Sequence, residues 1–311
     1  MSQHIEQMVL VDQSTAELEG SDVSNPDGEI QNPFDPNKIR VDPKNTQMDS
    51  LIKRMRNNEI DLSPNFQRND NVWTPTAQSR LIESMLIKIP LPAFYLDATD
   101  DGKWLVVDGL QRLTAIKKFV VDKTLILEGM EFLPNLNGKK FNDVHRRFQR
   151  RIEETDIVMY LIQPGTPPQA KFDIFKRINT GGVPLSGQEI RHALNQGKIT
   201  ELLKELAESN EFKRATDNGI QSKRMDDRDC VLRFFAFMLH PPEDYSADSF
   251  DRFLNETMAQ ANAMDDEQLN ELAQKFRRAM ESAREIFGNV AFRKRLDKGA
   301  PRHPINKTLF E

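Results

Sequence analysis

The sequence predicts an α+β fold with a C-terminal all-helical domain. Three observations carry this: apolar runs of strand length, helical apolar spacing between them, and a last third in which only helical spacing remains. Order is expected to begin near Pro33-Phe34. "MDSLIKRMRNNEI" sets Leu51, Ile52 and Met55 on one helix face, and "LSPNFQRNDNVWTP" after it reads as irregular. Thr74-Pro75 has the form of an N-cap followed by proline at the first helical position. The helix so opened carries Leu81, Ile82, Met85 and Leu86, and it stops before "IPLP", whose prolines disfavour helix in the residues ahead of them.

"AFYLDA" and "KWLVV" read as strands joined through "TDDG" into a hairpin. A helix to about Val120 follows, then a short strand in "TLILEG". "FNDVHRRFQRRIEE" places Val144, Phe148 and Ile152 four apart, which predicts one helix. "DIVMYLI" is a further strand, and "PPQAKFDIFKRIN" a helix with Phe172, Phe175 and Ile178 turned inward. "TGGVPL" is a turn, and "SGQEIRHAL" opens a helix with capping-box spacing from Ser186 to Glu189. From Gly197 onward the pattern is helical only: "ITELLKELAES", "DRDCVLRFFAFMLH", "SFDRFLNETMAQAN" and "EQLNELAQKFRRAMESAREIF". The chain therefore divides into a leader, 1–32, a mixed α/β domain, 33–195, and a helical domain, 196–311.

Composition narrows the function classes. The 311 residues are 38% hydrophobic and 29% charged, ordinary for a folded soluble protein. No apolar run is long enough to span a bilayer, and the N-terminus lacks the basic start and apolar core of a secretory signal. One cysteine, Cys230, allows neither an internal disulfide nor a zinc framework, so a cytoplasmic location is expected. Cys230 itself reads as a buried thiol in an apolar helix. The net charge of −5 conceals an asymmetry: residues 1–31 hold seven acids and no Lys or Arg, which leaves the rest at +2. The leader, "STAELEGSDVSNPDGE" at its centre, reads as disordered, with a partner-binding arm as the other reading.

The chemistry concentrates in "WLVVDGLQRLTAI". A strand ending in glycine and feeding a helix presents unpaired N–H groups and the positive end of the helix dipole, which suits an anion. Arg112, in the first turn, offers a bidentate fork for phosphate. Asp108 offers a ligand for Mg²⁺, a hold on a water, or a cap. Gly109 leaves room for close approach of a ligand. Alone, this signal is weak, because a helix cap with a solvated arginine has the same sequence. Gln67-Arg68 in "NFQRNDNVW" and Arg177-Ile178-Asn179 before Gly181-Gly182 add two more polar segments, each equally readable as a solvated loop or a basic helix terminus.

Together, Phe66-Gln67-Arg68 before Val72-Trp73, Asp108-Gly109-Leu110-Gln111-Arg112, and Arg177-Ile178-Asn179 resemble the N-terminal domain family of GmrSD-type modification-dependent restriction enzymes. The resemblance covers roughly residues 48–195 and extends through "DDRDCVLRFFAF" to "PINKTLFE". It implies a fold related to ParB and sulfiredoxin. It also implies binding, and turnover, of a nucleoside triphosphate with Mg²⁺ in a system that defends against foreign DNA. On that reading Asp108 and Arg112 are catalytic, while Gln67, Arg68, Gly109, Gln111, Arg112, Arg177 and Asn179 hold the nucleotide. DNA and a separate nuclease or defence protein are the implied partners. Leu110 departs from the family's Asp-Gly-Gln-Gln-Arg and either costs a ligand contact or simply faces the sheet. The chain also stops after "NKTLFE", where relatives tend to continue, so it reads as a shortened form.

Competing readings leave their own marks. The stretch "KKFNDVHRRFQRR" puts Arg146, Arg147, Arg150 and Arg151 off the apolar face, as a solvated strip or a contact to the DNA backbone. "FRKRLDKGAPRH" is similarly basic. A non-catalytic DNA- or partner-binding module switched by nucleotide is thus the alternative. A nicking endonuclease ranks third, because His4, His145, His192, His240 and His303 form no compact metal-ligand spacing. A Walker phosphate loop is absent.

Overall fold

The computed structural model describes residues 18–19, 35–62, 73–178, 185–241, 250–294 and 303–311. Within them the chain forms two compact units, residues 30–194 and a second one made of 1–29 with 195–311. The acidic leader lies outside the described residues apart from the two-residue strand β1 (Leu18–Glu19).

The first unit is built on a mixed sheet of β2 (Val41–Gln47), β3 (Ile60–Asp61), β4 (Phe94–Asp97), β5 (Trp104–Asp108) and β6 (Asp156–Ile162). Its order is β2-β6-β4-β5-β3, with β2–β6 and β4–β5 antiparallel and β4–β6 and β3–β5 parallel. The fold class is α+β, and the β4–β5 hairpin forms across residues 98–103. Helices α1 (Met48–Arg56), α2 (Pro75–Leu86), α3 (Leu110–Ile116) and α4 (Arg146–Glu153) supply one core. Leu51, Ile52, Met55, Ile82, Met85, Leu86 and Ile116 pack there against Phe94, Leu96, Trp104, Val106 and Met159. On the opposite face α5 (Pro168–Ile178) and α6 (Gly187–Leu194) press Phe172, Phe175 and Ile190 onto Val107 and Ile162. Successive strand residues thus feed different cores, as Val106 and Val107 do, which is why β5 reads as a continuous apolar run.

The local signals explain the ends of these elements. Thr74 Oγ1 accepts the Ala77 N–H at 3.2 Å ahead of Pro75. The Ser186–Glu189 capping box closes reciprocally, at 2.6 Å from the Ser186 N–H to Glu189 Oε2 and 3.1 Å from the Glu189 N–H to Ser186 Oγ. Two expectations are corrected. "TLILEG" is not a strand: Leu125 and Leu127 are buried and Ile126 is exposed, but its pairing is limited to bonds such as Leu127 N–H to Lys139 C=O at 3.0 Å. The alternation there reports burial without a ladder. "FNDVHRRFQRRIEE" is not one helix. Phe141–Asp143 is a 3₁₀ turn, and α4 starts at Arg146 behind His145, whose Nδ1 accepts the Arg147 N–H at 3.2 Å. Val144, Phe148 and Ile152 are nevertheless all buried.

The second unit is helical: α7 (Lys198–Glu208), α8 (Asn210–Ala215), α9 (Asp226–Leu239), α10 (Phe250–Ala263) and α11 (Asp266–Phe287). A two-residue parallel ladder between β1 and β7 (Ile305–Asn306) adds strand where only helix was expected. Leu203, Phe212, Cys230, Phe235, Met258 and Phe276 are in its core. Cys230 is a buried thiol as expected, and burial, reinforced by Asp229, pushes its pKa well up. Among the described residues no helix is long and apolar enough to cross a membrane.

Candidate functional site

β5 delivers Asp108 at its last position, and the chain turns at Gly109 with φ +100° to open α3. The register against β4 shifts here: Tyr95 opposes Asp108 and Leu96 opposes Val106, so Val107 is an extra residue. Such a bulge twists a strand and re-aims the side chains beside it. Gly109 is needed for two reasons, its left-handed backbone and a crowded neighbour. A Cβ there would stand 2.6 Å from Phe94 Cδ1, so the group that approaches closely is the protein's own aromatic ring. The close approach expected of a ligand is made instead by Phe94.

Arg112 is turned inward, with its side chain only 10% exposed. Its guanidinium donates to the Pro92 carbonyl, to the Ala93 carbonyl at 3.1 Å and to Asp108 Oδ2 at 2.6 Å, and it lies 4.5 Å from the centre of the Phe94 ring. Burial lowers its pKa and the Asp108 carboxylate opposes that fall. The planar fork therefore ties the chain entering β4 to the end of β5, which a lysine's point charge would not do. Asp108 differs from its partner: its side chain is 37% exposed, and Oδ1 accepts no hydrogen bond from the described residues. At the start of α3 the first N–H groups precede any intrahelical acceptor; the first helical bond is Leu113 N–H to Gly109 C=O at 2.9 Å. Leu110 is half-buried against the core, which accounts for leucine at that position.

Trp73 and α5 border the other two segments. Gln111 Oε1 accepts the Trp73 N–H at 3.2 Å, and Gln78 donates to the Trp73 carbonyl at 2.8 Å. Trp73 is thereby fastened to the first turn of α3. On the opposite face, Lys171 near the start of α5 binds Asp97 Oδ2 at 3.1 Å and the Thr99 hydroxyl. Asp97 opposes Leu105, three residues before Asp108. From Lys171, α5 runs about 9 Å to Arg177, close to the rise of about 10 Å from Leu105 to Asp108. Phe172, Phe175 and Ile178 pack with Val107 along that path. Arg177 is exposed near the end of α5. Gln67, Arg68, Val72 and Asn179 lie outside the described residues.

Among the described residues no contact brings the α4 arginines to the junction, and most are engaged. Arg146 makes a paired contact with Glu153 at 3.0 and 2.8 Å, and Arg150 meets Glu154 at 3.3 Å. Arg151 donates to the Leu86 carbonyl at 2.8 Å, and Arg147 lies 4.7 Å from the Phe148 ring centre. Among the described residues no group of three or more His, Cys, Asp or Glu side chains is placed to hold a metal ion.

Two features escaped the sequence reading. Gln188, Arg191 and His192 are buried in α6, with Arg191 Nε donating to Gln188 Oε1 at 2.9 Å and its guanidinium 5.8 Å from Phe172. Polar residues on an inner helix face leave no apolar stripe to detect. Tyr95 and Tyr160 stack at 4.8 Å across β4 and β6. Their only trace was one tyrosine in each strand pattern, and register is not readable from one strand.

No curated protein and no solved structure matches the chain. The family model for the GmrSD restriction endonuclease, N-terminal domain, matches residues 49–196, a span that contains the Asp108 junction, the Trp73 anchor and all of α5. That segment of the chain belongs to the GmrSD restriction endonuclease N-terminal domain family and marks the protein as a component of a restriction system.

Proposed function

We propose that residues 49–196 bind a nucleoside triphosphate at the Asp108 end of the sheet and hydrolyse it as one step of a DNA-defence system. One observation carries this reading. A partly exposed carboxylate, with one oxygen free of hydrogen bonds among the described residues, is held by a buried arginine where the Trp73 segment meets the start of α3. Buried positioning groups behind an open reactive group are what a precise site requires.

In this scheme Asp108 Oδ1 orients the attacking water, the first N–H groups of α3 receive phosphate oxygens, and Arg177 adds a positive charge from α5. Gln67, Arg68 and Asn179 supply further contacts by their motif positions. Gln111 spends its carbonyl oxygen on Trp73 and keeps its amide donors for the ligand. Arg112 acts mainly by holding Asp108 and the Pro92–Ala93 carbonyls in place. A magnesium ion takes one or two carboxylates together with phosphate oxygens and waters, and Asp108 Oδ1 is a donor of that kind; the ion would neutralise phosphate charge. DNA and a nuclease partner complete the system.

The test is phosphate release by the purified chain with Mg²⁺ and each of the four common NTPs. Arg177→Ala removes an exposed side chain, so we expect an unchanged melting temperature and a fall in turnover of about tenfold or more. No turnover together with no NTP-induced thermal shift overturns the proposal.

A further inference from the structure

Tyr95 and Tyr160 occupy directly opposed positions on the parallel neighbours β4 and β6, with ring centroids 4.8 Å apart and planes inclined by 14°. The register extends this pair into a row. Pro43 opposes Tyr160 on β2, and Asp108 opposes Tyr95 on β5. Pro43, Tyr160, Tyr95 and Asp108 therefore stand at one level of four adjacent strands. Strands lie about 4.8 Å apart, which puts Tyr160 roughly 10 Å from Asp108 along the row.

The two rings differ in their surroundings. Tyr95 packs against the cluster of Val107, Phe172 and Phe175, whereas Tyr160 joins no apolar cluster among the described residues. Beyond Tyr160 the neighbour is the exposed Pro43, whose ring is shorter than a tyrosine side chain. Neither tyrosine is fully buried, and neither hydroxyl makes a hydrogen bond among the described residues. A partly exposed aromatic face, two strands along the sheet from Asp108, is suited to stacking a heteroaromatic ring.

We propose that Tyr160, backed by Tyr95, stacks the base of the nucleotide whose phosphates lie at the Asp108 junction. The inference rests on the nucleotide reading above and names the part of the ligand that the sheet face recognises. Stacking is tolerant of base identity because every base has a π-face. The site accordingly discriminates weakly among the four NTPs, with KM values within about tenfold of one another.

The experiment compares NTPs with inorganic triphosphate, which carries the phosphates and no base. Tyr160→Ala raises KM for each NTP about tenfold or more with kcat nearly unchanged, in line with the loss of one base–aromatic stack. Inhibition by inorganic triphosphate is the same in both proteins, and Tyr160→Phe behaves as wild type in KM. Tyr160→Leu keeps apolar bulk on the strand without a π-face and gives the Tyr160→Ala result if the alanine variant fails to fold. An unchanged KM in both variants overturns this inference alone. So does an equal loss of affinity for inorganic triphosphate. A wild-type chain that binds no nucleotide overturns the site reading along with it.

Discussion

The two units each contain an ion cluster, and the clusters are built to opposite ends. In the helical unit Asp229 Oδ2 receives Arg233 Nε at 3.0 Å and Lys307 Nζ at 3.1 Å. Lys307 also reaches Asp226 at 2.7 Å, and Arg233 reaches Glu311. The Arg233 and Asp229 side chains are 3% and 2% exposed. Burial alone would lower the Lys307 pKa, but Asp229 and Asp226 outweigh it and hold it well above the usual lysine range. Every charge there meets an opposite one, so the cluster pins the segment after β7 to α9 and offers nothing to a ligand. At the Asp108 junction the arginine is buried and the carboxylate is not. A sealed network is architecture, whereas a half-open one leaves a carboxylate oxygen held in place and exposed.

The largest effect should come from opening the sealed cluster. Arg233→Ala leaves Asp229 and Glu311 short of a counter-charge in a buried setting, and we expect a loss of about 3–5 kcal/mol in urea unfolding. Arg112→Ala strands the Pro92 and Ala93 carbonyls and unpairs Asp108, but the site is partly wet, so about 2–3 kcal/mol is expected. Arg112→Lys should recover little of it, because one ammonium cannot span two carbonyls and a carboxylate. Equal losses for Arg233→Ala and Arg112→Ala would erase the distinction between the clusters.

A smaller effect sharpens the idea that buried charge can also shape a loop. The buried Glu83 carboxylate accepts the N–H groups of Glu131, Phe132 and Leu133 at 3.0, 2.7 and 2.8 Å. Burial pushes its pKa up, but the three donors outweigh that and hold it below the ordinary glutamate range. Its contribution is therefore full above the unfolded-state pKa and is lost as pH falls through the lowered one. Glu83→Gln should cost about 1–2 kcal/mol near pH 7. The gap to wild type should narrow below about pH 4 in thermal unfolding scans. A gap independent of pH would show that the charge is not what holds the loop.

Legibility followed the same physical line. Elements with one wet and one dry face were readable: α1 from Leu51, Ile52 and Met55, α2 from Thr74-Pro75, and the β4–β5 hairpin from its two apolar runs. Strand β2, "VDPKNTQ", was not, because nearly all of its residues are at least partly exposed and hydropathy carries no alternation. At the site, Asp108, Gly109, Gln111 and Arg112 were all singled out, but their geometry was not readable. Nothing in "IPLP" announces that its second proline's carbonyl captures an arginine twenty residues later. Nor does Gly109 reveal that the ring pressing on it is Phe94. Sequence marks which residues are chemically costly to place, while the partners that satisfy them come from tertiary packing.

The central claim is that the open oxygen of Asp108 does the chemistry while its buried partner only holds it. Asp108→Asn keeps a group of the same shape beside Arg112 and removes the carboxylate charge. The most direct measurement is Mg²⁺-dependent NTP hydrolysis by this variant, read beside its melting temperature. The account predicts near wild-type stability with turnover reduced by a hundredfold or more, on the order expected for loss of a catalytic group. Turnover equal to wild type in a folded Asp108→Asn protein would contradict it.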